Sequence, residues 1–249
     1  NNGELPYLNK KGGDFFFDNR ESNEEILSTI LDLVNRRLPL FNPKWDKTRD
    51  IQVLSPTRKG ILGVDNLNNE LQAILNPPSK NKKERNIKDI IFREGDKVMQ
   101  TKNNYSLKWN RTGGYGDNEG VGVFNGDMGF IESISEESRT VTVVFDDERR
   151  IVYDNIYVEE LELAYAITIH KSQGSEFKVV ITPSFMGSAF LMNRNILYTG
   201  ITRAKELVVV VGNQKSLKYM VDNTNSMERY SSLKERIVDI VSDDKIKEE

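Results

Sequence analysis

At 249 residues, 37% hydrophobic and 29% charged, the chain is long enough for one large domain or a domain carrying a small insert, and no apolar run approaches the ~20 residues of a membrane-crossing helix. The absence of cysteine excludes disulfides, zinc ribbons and thiol nucleophiles, and a single histidine, His170, argues against histidine-clustered metal chemistry. A net charge of −3 predicts that any nucleic-acid contact is local, and with no charged-then-apolar leader a cytoplasmic address is expected.

In chain order, Asp14-Phe15-Phe16-Phe17 reads as a short strand, and Ser22 or Asn23 caps a helix in which Ile26, Ile30 and Val34 recur every four residues. That helix should end near Pro39, because proline removes a donor. Ile51 to Leu54 reads as a buried strand running into Ser55-Pro56-Thr57-Arg58-Lys59-Gly60, a loop at the carboxyl edge of a parallel sheet. Val64, Leu67, Leu71 and Ile74 mark the next helix, which Pro77-Pro78 stops. Lys80, Lys82, Lys83, Arg85 and Lys88 form a basic run that reads as a solvated loop before it reads as a phosphate grip.

From about Ile91 to Val158 short alternating segments (Lys97 to Thr101, Met128 to Ile134, Thr140 to Phe145, Arg149 to Tyr153) predict a small β-barrel. Within it, Asn103 to Asp127 carries Tyr105, Trp109 and Tyr115 and is too long for a plain turn; it is either a hairpin folding its aromatics inward or a platform on which bases stack. The α/β texture then returns: Leu161, Leu163, Ile167 and Ile169 alternate, and Val179 to Ile181 and Leu207 to Val211 read as buried strands. The charged tail from Ser242 to Glu249 should fray. The expected organisation is therefore a first α/β segment over residues 1–90, an inserted barrel over 91–158 and a second α/β segment over 159–249.

Two stretches carry chemistry. Thr168-Ile169-His170-Lys171-Ser172-Gln173-Gly174-Ser175-Glu176-Phe177 packs hydroxyls, an imidazole, an amide and a carboxylate between apolar strands. If Ile167 and Ile169 face the core, Thr168 and His170 face the other way together, a pair suited to a phosphate or a base. Gly174 permits a tight turn, and a helix starting there would aim free N–H groups at an anion. The second stretch, Asn193 to Lys205, reads as a helix entering a strand, which would hold Arg203 rigidly. A rigid guanidinium can stabilise phosphoryl transfer; the plainer alternative is an ion pair with Glu206.

Together, T-I-H-K-S-Q-G-S-E-F and N-I-L-Y-T-G-I-T-R-A-K resemble motifs V and VI of superfamily 1 helicases, with RecD-like enzymes, including exodeoxyribonuclease V alpha subunits, the nearest. I-Q-V-L-S-P-T-R-K-G-I-L-G-V-D-N-L-N resembles the motif IV region and G-V-F-N-G-D-M-G the family's barrel insert, so the likeness spans roughly residues 14 to 237. It implies a second RecA-like domain of P-loop NTPase fold interrupted by an SH3-like barrel. It also implies ATP and Mg²⁺ as cofactors, that Arg203 is an arginine finger, that Gln173, Gly174 and Glu176 lie near the nucleotide, and that Arg58 or Lys59 is a second phosphate sensor. Thr168 and His170, with Lys171 and Ser172, would touch DNA. Gly200 departs from the pattern, where relatives carry Ala or Val, and should loosen its helix by about 1 kcal/mol.

No G-x-x-x-x-G-K-[ST] loop occurs, and Val143 to Glu148 reads as a hairpin turn rather than an acidic strand end. The segment alone is therefore expected to be inactive, with ATP held mainly by an N-terminal RecA-like domain of the same protein. The resemblance implies 5′-to-3′ travel on single-stranded DNA, a role in recombination and repair, and nuclease or recombination subunits as partners, without a membrane. Competing readings are a non-catalytic binding module built on the SH3-like barrel, an RNA helicase and a conjugation relaxase partner.

Overall fold

The computed structural model describes residues 12–111 and 118–224; Tyr115 and the tail from Ser242 to Glu249 lie outside them. The first segment comprises β1 (Phe15–Asn19), α1 (Asn23–Asp32), α2 (Leu38–Phe41), β2 (Ile51–Ser55) and α3 (Val64–Leu75). A hairpin follows, β3 (Glu84–Ile87) and β4 (Ile90–Arg93). Then come β5 (Lys97–Gln100), β6 (Asn104–Asn110), β7 (Glu119–Val123), β8 (Met128–Ser135), β9 (Thr140–Phe145), β10 (Arg150–Tyr153) and β11 (Leu161–Leu163). The chain closes with β12 (Ala166–Thr168), β13 (Phe177–Ser184), α4 (Arg194–Ile201), β14 (Ala204–Gly212) and α5 (Gln214–Asp222).

Five strands form one parallel sheet in the order β1-β14-β13-β2-β12. Their unbroken valine and isoleucine runs follow from burial on both faces. Val179, Ile181, Val209 and Val211 pack under α1 and α3 with Ile26, Ile30, Leu67 and Leu71, whereas Val208 and Val210 pack under α4 and α5 with Leu197, Leu217 and Met220. This is the expected doubly covered RecA-like sheet.

Ser22 caps α1 as predicted: its hydroxyl accepts from Glu25 N at 3.2 Å, and the Glu25 carboxylate accepts from Ser22 N at 3.3 Å. The helix ends near Pro39, as expected, though two residues beyond it. Leu33–Arg37 form a π-turn in which Leu38 N–H reaches Leu33 O, so the ladder is already offset where proline's missing donor falls, and α2 continues to Phe41.

The barrel is a seven-stranded sheet in the order β11-β5-β8-β9-β10-β6-β7, wrapped around Val98, Ile131, Val141, Ile151 and Tyr153. One reading needs correction: Leu161–Leu163 pairs antiparallel with β5 rather than joining the parallel sheet. The stretch Asn103 to Asp127 is a hairpin, the first of its two alternatives, with β6 and β7 paired at the sheet's edge. The turn after β9 is as expected, with Glu148 at φ 68° and its N–H bonded to Phe145 O.

The basic run disperses. Lys82 donates to Asn76, Arg85 to the Arg139 carbonyl and Asn155, and Lys88 pairs with Glu159.

A polar neck joins barrel to sheet, and sequence reading missed it. Asn68 and Gln72 on α3 and Asn76 at its C-cap recur every four residues and are buried. Asn68 Nδ2 donates to Leu163 O and Ala166 O, while Gln72 and Asn76 donate to the buried Asp96 carboxylate at 2.6 and 2.7 Å. Lys97 Nζ reaches Thr48 O at 2.8 Å and Gln52 Oε1 at 2.9 Å. The amide face of α3 thus satisfies the backbone where the chain leaves and re-enters the sheet.

Candidate functional site

In a parallel sheet all carboxyl ends share one edge, here Asn19, Ser55, Thr168, Ser184 and Gly212. The candidate residues divide between the two edges. Thr168 ends β12 at the carboxyl edge, whereas Phe177 and Ala204 open β13 and β14 at the amino edge. Residues 169–176 connect the two, crossing past β2, which lies between β12 and β13.

This connection is a chain of turns, and the helix expected at Gly174 does not form. Gly174 sits at φ 89°, the left-handed conformation that glycine adopts without strain, and β13 starts three residues later. Ser172 is fully buried, with its hydroxyl donating to Ile169 O at 2.7 Å. It closes the turn and presents nothing to a ligand, contrary to its assignment as a DNA contact. Ile167 and Ile169 are buried while Thr168 is half-buried and His170 exposed, so the predicted alternation holds. Gln173, Gly174 and Glu176 are exposed.

At the amino edge, Arg203 lies in the turn between α4 and β14. Its carbonyl accepts from Phe177 N at 2.8 Å. Its guanidinium donates to Thr199 O from Nε at 3.3 Å, to Ser175 O from Nη1 at 3.2 Å and to Thr202 Oγ1 from Nη2 at 3.3 Å. All three acceptors are neutral, and no carboxylate pairs with Arg203 among the described residues. Glu206, the alternative partner, instead accepts from Trp45 Nε1 at 2.8 Å. Glu176 pairs with Lys205 at 3.0 Å. The adjoining cleft, about 520 Å³, is lined by Arg49, Lys97, Asp146, Ser175, Glu176 and Lys205, so sheet and barrel share it.

Arg58 and Lys59 are not brought to Arg203. They follow the carboxyl end of β2, and Arg58 donates to Glu162 at 2.8 and 3.3 Å and pairs with Asp65 at 3.2 Å. Lys171 Nζ meets the same Glu162 at 2.9 Å. Burial of Glu162 opposes its charge, but the hydrogen bonds from Arg58 and Lys171 outweigh that and hold the carboxyl below its ordinary value. Sequence reasoning passed over Glu162 because a lone acid between two leucines carries no signal.

Of the hairpin aromatics, Tyr105 is exposed and meets Phe124 edge-on at 5.9 Å between ring centroids. Trp109 is half-buried, packed against Gly120, where a side chain would collide with the indole, and under Arg111 at 5.1 Å. It is not free to stack on a base.

Among the described residues no helix is long and apolar enough to cross a membrane.

Residues 67–145 match the ATP-dependent RecD-like DNA helicase SH3 domain, and residues 163–211 match the UvrD-like helicase C-terminal domain. The ATP-dependent RecD2 DNA helicase of Deinococcus radiodurans is 34% identical over 171 residues, covering 69% of this chain and 21% of that protein. The RecBCD enzyme subunit RecD of Haemophilus influenzae is 29% identical over 198 residues, covering 76% of this chain and 25% of that protein. The chain thus spans about a fifth to a quarter of these relatives' lengths. A Bacteroides Pif1 helicase, solved in complex with ADP-AlF3 and ssDNA, aligns with a TM-score of 0.45 at 20% identity, covering 80% of this chain and 47% of that one. With one family domain lying mainly on the barrel and the other on the returning strands that carry Thr168 and Arg203, the chain belongs to the RecD-like helicases.

Proposed function

We propose that the chain is the second motor half of an ATP-dependent DNA helicase that moves 5′ to 3′ along a single strand in recombination and repair. A first RecA-like domain of the same protein would supply the phosphate-binding loop. The observation that carries this reading is Arg203: a guanidinium held at the amino edge by three neutral oxygens, with its charge uncompensated among the described residues. Such a group fits the terminal phosphates of a nucleotide held by a facing domain. When bound, ATP supplies the phosphoanhydride whose cleavage drives movement, and Mg²⁺ screens its charge. Mg²⁺ at such a nucleotide is held by one or two protein side chains together with the phosphate oxygens, and the facing domain would supply those side chains.

Within this chain, Thr199, Thr202 and Ser175 orient Arg203, and Gln173, Gly174 and Glu176 border the same edge. Thr168, His170, Lys171 and Arg58 form the strand-binding face at the opposite edge. Because residues 169–176 run without interruption from one edge to the other, a change around the nucleotide displaces the strand-binding face through one short, bonded connection.

Replacing Arg203 with Ala in the full-length protein should leave ATP binding within a few-fold while lowering DNA-stimulated hydrolysis by roughly 10³ or more. Measured turnover close to that of the wild type would refute the assignment.

A further inference from the structure

The Glu162 carboxylate sits where the two cations of the carboxyl-edge face converge. One donor is the Arg58 guanidinium, from the loop after β2; the other is the Lys171 ammonium, from the connection after β12. The acid comes from β11, an edge strand of the barrel sheet. A guanidinium fork and an ammonium aimed at one anion form an arrangement that a phosphodiester satisfies as readily as a carboxylate. The side chains of Glu162 and Lys171 are 26% and 29% exposed and that of Arg58 49%, so the cluster lies at the surface, within reach of a polyanion. It borders a cleft of about 290 Å³ lined by Arg58, Asp65, Asn69, Lys88 and Glu162. Asp65 contacts Arg58 Nε and can hold it in place while its outer nitrogens change partner.

We propose that Glu162 is a built-in competitor of the nucleic-acid backbone: it fills the phosphate seat formed by Arg58 and Lys171, and a single strand binds there by displacing it. The inference rests on the reading of the carboxyl edge as the strand-binding face. Its consequence is a brake on affinity. Each strand phosphate that enters must outcompete a tethered carboxylate, so the motor grips weakly enough to release at every step, and the barrel that carries the carboxylate sets how weakly.

The test uses the full-length protein and a fluorescein-labelled oligothymidylate, with binding followed by anisotropy at low and moderate salt. Glu162→Gln, and independently Glu162→Ala, should bind about three- to tenfold more tightly than wild type at low salt, with a smaller gain at moderate salt. Arg58→Met combined with Lys171→Met should bind more weakly than wild type, and adding Glu162→Gln to that pair should give no gain. Thermal midpoints for each variant separate loss of folding from loss of binding. If the paired cation variant loses affinity but Glu162→Gln binds equally or more weakly, Glu162 organises the cations and the competitor is refuted. If the paired cation variant binds as wild type does, the carboxyl-edge reading falls, and the competitor with it.

Discussion

Lys97 is a buried ammonium with neutral oxygens for partners, and such a charge works against the fold. Its side chain is 3% exposed, and burial pulls its pKa down to about 8, opposed in part by the charges of Asp146 and Asp46. The unfolded lysine titrates near its ordinary value, roughly 10.4. Between these values the unfolded chain binds more protons than the native one, so the Lys97 contribution makes stability rise with pH across that window. The full shift corresponds to at most about 3 kcal/mol. Tyr153 and Tyr165, both raised by burial, act in the opposite sense above the ordinary tyrosine range, which restricts the clean window to about pH 8–9.5. Urea denaturation at pH 7.5 and 9.5 should therefore show the wild type gaining stability relative to Lys97→Met. Parallel pH profiles for the two proteins would mean that Lys97 is not held as a buried charge.

At the scale of elements, α4 carries Arg203 toward the sheet and contains Gly200 one turn before it. A methyl group at Gly200 would meet Ile169 Cδ1 at 3.4 Å, an ordinary contact, and the backbone there is helical. Gly200→Ala should raise stability by about 0.5–1 kcal/mol, seen as a thermal midpoint a few degrees higher. A lowered midpoint would show that α4 and the Ile169 turn are packed too tightly for even this addition. That Gly200 lies on a helix was legible from the spacing of Leu197 and Ile201, as were α1 and α3, because their apolar stripes repeat with the helix turn. The β3–β4 hairpin was not legible. Its turn uses Lys88 and Asp89 at φ 49° and 67°, where the recognisable signal is Asn-Gly. The neck escaped notice for a related reason: Asn68, Gln72 and Asn76 read as a polar helix face, and only the chain's return at Leu163–Ala166, nearly a hundred residues later, gives those amides their partners. The candidate site was legible where chemistry concentrates in one stretch, as from Thr168 to Glu176. It was illegible where edges are decided by topology: Arg58 follows the carboxyl end of β2 and Arg203 lies at the amino edge, a separation that appears only once the strand order is known.

At the scale of the whole molecule, an inserted barrel can be an independent module or part of one cooperative body, and the packing decides for the latter. One apolar cluster runs from Ile26, Ile51 and Val209 in the parallel sheet to Val98, Ile131 and Ile151 in the barrel. The neck adds buried hydrogen bonds across the junction, from Asn68, Gln72 and Asn76 on one side and Lys97 on the other. Opening that junction while either half stayed folded would expose the shared apolar cluster to water and give up the hydrogen bonds that cross it, while releasing only part of the conformational entropy that complete unfolding gains. A half-unfolded state is therefore disfavoured relative to both the native and the unfolded chain. Calorimetry should show a single transition with matching calorimetric and van't Hoff enthalpies, and circular dichroism should melt in step with tryptophan fluorescence from Trp45 in the sheet segment and Trp109 in the barrel. In Gln72→Leu combined with Asn76→Leu, which removes the amides facing Asp96, the single transition should split or broaden. Two transitions in the wild type would instead mean that the barrel folds on its own and that the neck is a tether.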